Sequence, residues 1–146
     1  MAEKIGVFIC TGYGIDQALD IDALRKIAVD DYGAAHCRTV DSCEGADLEA
    51  IIHDIATLKL DAAVIAGISP RRYEDAAFPP HVVVEAVALR EHVVWCQPPN
   101  ENDTQMLAED YLRMYLAKAR ASRPPAPPEL KTEIDRSLLV VGGGVT

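Results

Sequence analysis

The residues of this chain best suited to chemistry are its four cysteines and a closing run of three glycines. Cys10 ends the apolar run "KIGVFIC", Cys43 sits in the polar stretch "DSCEGAD", Cys96 follows Trp95 in "LREHVVWC", and Cys37 lies within "AAHCRTV". Thiolates hold iron–sulfur clusters and other soft metals, usually as sets of four. Cys10, Cys43 and Cys96, with His92 close by in sequence, are therefore a candidate metal set, although no C-x-x-C is present. The competing reading is that these are small apolar residues packed near loops. A third reading pairs Cys10 with Cys43 as a thiol site, which requires Cα atoms roughly 4.4 to 6.8 Å apart. Cys43 precedes a predicted helix whose dipole favours a thiolate, while Asp41, Glu44 and Asp47 oppose it. Cys37, inside a predicted strand, reads as a core residue.

Two further stretches carry the residue types of an anion site and of the opening of a dinucleotide-binding motif, the second complete only in a longer chain. In "SPRRYE", Ser69 and Pro70 would open a helix whose free N–H groups, with Arg71 and Arg72 beside them, suit an anion. The same arginines could equally be solvated or paired with Glu74 and Asp75. In "SLLVVGGGVT", Leu138 to Val141 read as a strand buried on both faces, and Gly142 and Gly144 fit the first two glycines of G-x-G-x-x-G, the turn that lets a backbone approach a dinucleotide pyrophosphate. No strand-Ser-helix elbow is present, so the sequence lends hydrolysis no support.

Positioning these residues requires strands alternating with helices. Lys4 to Cys10 reads as a first strand. Ile21, Leu24, Ile27, Ala28 and Tyr32 then fall at helical spacing behind an Asp20 cap, with Gly33 closing the helix. A second strand is expected over Ala34 to Val40, and a helix behind Asp47 carries Leu48, Ile51, Ile52, Ile55 and Leu58. A third strand spans Asp61 to Ile68, and the short helix from Ser69-Pro70 is cut off by Pro79 and Pro80. A fourth strand covers Val82 to Leu89. The last helix, behind Asn102 or Asp103, carries Leu107, Tyr111, Met114 and Lys118, with Ala108, Leu112, Tyr115 and Ala119 beside them. This alternation predicts a small three-layer α/β domain with a mostly parallel sheet. In such sheets ligands bind beyond the carboxyl ends of the strands, where Cys10, Cys43, the Ser69 stretch and Cys96 all fall.

Composition narrows the function classes. The chain is 49% hydrophobic but only 5% aromatic, so its core is aliphatic, as in α/β proteins. Its formal net charge of −9, from 23 acidic and 14 basic residues, disfavours nucleic acid and anionic membranes. Neither a leader after Met1 nor an apolar run of spanning length is seen, so no membrane insertion is expected and the cytoplasm is the expected compartment. There the cysteines would stay reduced. "SRPPAPPE" carries four prolines and no apolar periodicity, as a semi-extended spacer does. The expected organisation is a domain over residues 1–122, a Pro-rich linker over 123–135, and the truncated start of a Rossmann-type FAD or dinucleotide-binding domain over 136–146.

Taken in order, "IGVFIC", "DSCEGADLEAII", "AVIAGISPRRYE", "LREHVVW", "YLRMYLAKARA" and "LLVVGGGVT" resemble the N-terminal domain of the A subunit of heterodisulfide reductase and its relatives, flavoproteins of multi-subunit electron-transfer complexes. The resemblance covers nearly the whole chain. It implies an oxidoreductase parent that binds FAD through Gly142 and Gly144, with other subunits of an electron-transfer complex as partners and a homo-oligomer left open. It also implies a [4Fe-4S] cluster held after strands one, three and four, by C-x-C, C-S-P-R and R-E-Q-C-x-W. Only Cys10 and Cys43 stand on such cysteine positions here; Gly12, Ile68 and Val93 occupy others, and Cys96 is displaced beyond Trp95. The stretch between Glu74 and Val82 is also short for the family. The alternative function is thus a non-redox docking or structural domain with a vestigial iron–sulfur site.

Overall fold

The computed structural model describes residues 2–124, 126, 137, 139 and 142–144. The run that is apolar on both faces becomes the interior strand β1, Ile5–Cys10, with all six residues buried. It pairs in parallel with β2, His36–Val40, on one side and with β3, Ala62–Ala66, on the other. β4, Val83–Val87, adds to the far side of β3, also in parallel. The sheet is therefore all parallel in the order β2-β1-β3-β4. β3 is buried throughout, whereas β2 is an edge strand with exposed Arg38 and Thr39.

The helices follow the apolar spacing closely, and their ends follow it less well. α1, Ile15–Ala18, is a single turn that buries Ile15 and Ala18. α2, Ile21–Lys26, starts where the sequence places it, with Asp20 Oδ1 accepting the Ala23 N–H at 3.0 Å. It runs on into a π turn, Ile27–Asp31. α3, Gly45–Thr57, starts before the expected cap: Glu44 takes the cap position, and Asp47 lies in the first turn. The Asp47 carboxylate reaches back to accept the Ser42 N–H at 2.9 Å, so it fastens the preceding turn instead of capping the helix. α4, Asn102–Ala121, follows Glu101 at the cap position, one residue ahead of the expected Asn102 or Asp103. It buries Thr104, Ala108, Leu112, Leu116 and Ala119. The buried stripe is thus rotated from the expected centre line, and Met114 is 56% exposed.

Two stretches depart from expectation. Ser69-Pro70 opens only one 3₁₀ turn, Pro70–Arg72, and Ser69 makes no side-chain cap bond. With Pro79 and Pro80 close behind, the chain returns to β4 through turns. "REHVV", to which the sequence assigned no element, forms a π turn, Arg90–Val94.

α2 and α4 pack together, and α4 lies against β3 and β4. The chain moves to β2 and then reverses past β1 to β3, so right-handed crossovers place α3 on the opposite face. The result is three layers around an aliphatic core that includes Phe8, Ile9, Ile51, Ile55, Ile65, Leu112 and Leu116. The reversal in strand order falls between β1 and β3. A crevice at their carboxyl ends is where this architecture binds ligands.

Candidate thiol site at the strand crossover

The crevice between the ends of β1 and β3 is filled by two thiols. Cys10 is the last residue of β1, and Cys43 is delivered by the turn between β2 and α3; both are fully buried. They meet over Gly67, just beyond β3. A Cβ placed on Gly67 would stand 2.6 Å from the Cys43 sulfur, 2.6 Å from Cys10 Cβ and 3.6 Å from the Cys10 sulfur. Real side chains do not approach so closely, so the absence of one at position 67 gives the pair its space. Gly12 makes a similar approach on the neighbouring loop, where a Cβ would stand 2.2 Å from the Asp41 carbonyl oxygen. The loops carrying Cys10 and Cys43 thus approach too closely there for any side chain. The hydrogen bonds Thr11 N–H to Val40 O at 2.8 Å and Gly12 N–H to Asp41 O at 3.0 Å extend the pairing of β1 with β2 into these loops.

The thiols influence each other directly. The neighbouring Cys43 thiol lowers the Cys10 pKa, against the opposing effect of burial. Cys10, reinforced by burial, in turn drives the Cys43 pKa far up, against the opposing effect of the Ile68 N–H. While protonated, the Cys10 thiol donates to the Asp41 carbonyl at 3.2 Å.

Two buried polar atoms beside the pair have no partner among the described residues: the Tyr73 hydroxyl and Glu91 Oε2. Tyr73 is only 6% exposed. Its pKa is pushed up by burial first, and then by the proximity of Cys43, Glu91 and Cys10. Burial also opposes ionisation of Glu91, yet the Arg90 guanidinium, bonded to Oε1, and the nearby Ser69 N–H hold its carboxyl below the usual range. Its Oε1 accepts Arg90 Nη2 at 2.7 Å and Nε at 3.2 Å.

A polar clasp closes the rim. Tyr13 donates its hydroxyl proton to Glu44 Oε2 at 2.6 Å and lies 2.9 Å from Ser42 Oγ. Arg72 grips the other Glu44 oxygen through Nη2 at 2.7 Å and Nε at 3.0 Å. The bond from Tyr13, with the Arg72 guanidinium, lowers the Glu44 pKa. Arg90 stacks over the rings of both Tyr13 and Trp95, 5.1 and 4.7 Å from their centroids.

The remaining sequence candidates are placed apart from this pair. Cys96 is exposed, and its thiol donates to the Glu91 carbonyl at 3.1 Å. Cys37, expected in the core, is half-buried on the edge strand. Arg72 is committed to Glu44 and Arg71 is exposed, while the expected helix at Ser69 is a three-residue turn. Gly142 and Gly144 are exposed. Of the strand expected over 138–141, only Leu139 is among the described residues, and it is 85% exposed.

A four-cysteine cluster does not fit this site. Ile68 and Val93, which stand where the resemblance puts ligating cysteines, are fully buried and fill the space with hydrocarbon. Among the described residues, no group of three or more His, Cys, Asp or Glu is arranged to hold a metal ion. Sequence reasoning did not single out Gly67, Tyr73, Tyr13 or Glu44 as parts of a site. The only signal for Gly67 is that a glycine ends an otherwise aliphatic strand at the edge where ligands bind.

No family model matches the chain. It is 34% identical, over 97% of its length, to the A subunit of the ferredoxin/F(420)H(2)-dependent CoB-CoM heterodisulfide reductase of Methanosarcina acetivorans. It is 31% identical, again over 97%, to the A subunit of the H(2):CoB-CoM heterodisulfide,ferredoxin reductase of Methanothermobacter marburgensis. It is 28% identical, over 99%, to the iron-sulfur A subunit of the CoB-CoM heterodisulfide reductase of Methanocaldococcus jannaschii. The aligned region makes up 19%, 23% and 23% of those proteins, so the chain spans about a fifth of the length of these relatives.

Proposed function

Because the chain is homologous over nearly its whole length to the A subunit of heterodisulfide reductase, we propose that it is the N-terminal domain of a flavoprotein that takes part in electron transfer within a multi-subunit complex. The observation that carries this reading is the 97% coverage of the chain, which makes the likeness extend through every strand and helix of the domain. The relatives are named as the A subunits of their reductases, which supports other subunits as partners. No helix among the described residues is long and apolar enough to cross a membrane, in keeping with a cytoplasmic complex.

FAD, in this reading, is bound by the longer polypeptide and supplies the two-electron carrier. Gly142 has a φ of 112°, and a Cβ on it would meet nothing within 4 Å, so this residue suits an open glycine turn near a pyrophosphate. Gly144 is equally uncrowded. What the described residues contribute is support: a rigid α/β body whose former ligand crevice is packed with Cys10, Cys43, Ile68 and Val93.

The filled crevice favours a second reading of the domain itself, in which it docks or positions the flavin fold and carries no cluster. The two readings concern different levels, since a docking domain can belong to an electron-transfer protein. Purification of the complete gene product from its source, followed by identification of flavin and co-purifying chains, tests the first. Stoichiometric FAD together with redox-protein partners is expected. A flavin-free protein that purifies alone would contradict it.

A further inference from the structure

We propose that Cys10 and Cys43 form a peroxide-reactive dithiol that closes to an internal disulfide, with the Tyr13–Glu44–Arg72 clasp controlling access. This chemistry is independent of the electron-transfer reading, since it rests on the packing at the crossover alone.

Three observations converge. Both sulfurs lie over Gly67, 2.6 Å (Cys43) and 3.6 Å (Cys10) from the point where its Cβ would stand. The Tyr73 hydroxyl, in a residue only 6% exposed, is buried without a partner among the described residues, which leaves an unused hydrogen-bonding group in the same core. Finally, both cysteines are fully buried, so an oxidant reaches them only when the loops carrying them part, and those loops are tied together by Tyr13 to Ser42 and Glu44, and by Glu44 to Arg72. An oxidant no larger than hydrogen peroxide suits so confined a site.

The chemistry balances with peroxide as the oxidant. The Cys10 thiolate attacks one peroxide oxygen. The O–O bond breaks, Cys10 becomes a sulfenic acid, and hydroxide leaves to take up the proton that Cys10 released, forming water. The Cys43 sulfur then attacks the Cys10 sulfur. The S–O bond breaks, a disulfide forms, and the departing oxygen carries away the Cys43 proton as a second water. Two thiols and one peroxide thus yield one disulfide and two waters, and the two electrons pass from sulfur to oxygen.

The test uses the chain with Cys37→Ser and Cys96→Ser, in which Cys10 and Cys43 are the remaining thiols. After exposure to hydrogen peroxide, the non-reduced tryptic digest should link the peptide running from Ile5 to Arg25 with that from Thr39 to Lys59, and reductant should part them. Glu44→Gln should speed the reaction roughly tenfold, the change expected when a charge-assisted hydrogen bond stops contributing to closure. A folded chain whose two thiols stay reduced, or over-oxidise separately without linking, would overturn the proposal. An unchanged rate in Glu44→Gln would overturn the gating role of the clasp. Circular dichroism before and after treatment separates either result from unfolding.

Discussion

Gly67 and Cys43 approach so closely that a Cβ on the glycine would stand 2.6 Å from the cysteine sulfur. Since Cys10 Cβ lies equally near that point, neither neighbour can move away without disturbing β1 or the turn before α3. Gly67→Ala should therefore destabilise the fold by roughly 1–3 kcal/mol, the usual cost of overpacking a filled core. Urea unfolding of the reduced protein measures it. A midpoint unchanged from wild type would show that the crevice is looser than its packing indicates.

A Cβ on Gly12 would meet backbone, not side chain, at 2.2 Å, so the strain of a substitution cannot be relieved by a rotamer change. Gly12→Ala should cost about 2 kcal/mol or more, because the Asp41 carbonyl must shift and the Gly12 N–H bond to it is strained as well. Chemical denaturation again gives the value. Faster amide exchange at Gly12 and Thr11 should accompany the loss.

The Tyr73 hydroxyl is buried without a partner among the described residues, a condition that costs free energy. Tyr73→Phe removes it and keeps the ring, which packs edge-on against Phe78 at 6.4 Å. Stability should be unchanged or rise by about 1 kcal/mol, as expected when an unsatisfied polar group is deleted. Under the dithiol proposal, the same variant should close its disulfide more slowly. A loss of stability would mean that the hydroxyl has a partner, such as a bound water.

The clasp makes stability depend on pH through Glu44, whose folded pKa lies below its ordinary value because Tyr13 and then Arg72 bind the carboxylate. A carboxyl with a depressed folded pKa contributes stability above its unfolded value, near 4.3 for glutamate, and loses it as pH falls through the lower folded value. Glu44→Gln should therefore melt below wild type at neutral pH and converge with it in acid. Thermal melts of both proteins across that range test the sign. A gap that widened on acidification would contradict the assignment.

The fold was legible where hydrophobic pattern alone decides it. "IGVFIC" and "AAVIA" are apolar on both faces and became the two interior strands, and Asp20 caps α2 as its position suggests. Helix starts were less legible, because several acidic residues compete at "SCEGAD": the helix begins at Gly45, and Asp47 is drawn to the Ser42 N–H instead. At Ser69-Pro70 the local signal for a helix is real, but the nearby prolines limit it to one turn. The thiol pair was readable only as one of several options. Cys10 and Cys43 are far apart in sequence, and their meeting depends on β2 lying beside β1, which no local pattern specifies. The clasp was hidden for the same reason, since Tyr13, Glu44 and Arg72 come from three separate loops.

Side chains take the space of a metal cluster in this domain, and iron content tests that claim most directly. The chain should be purified without oxygen and assayed on one sample for iron, acid-labile sulfide and visible absorbance. A colourless, iron-free protein that unfolds cooperatively is expected. About four irons and four sulfides per chain, with a broad absorbance that bleaches on reduction, would contradict it and make the domain an electron relay.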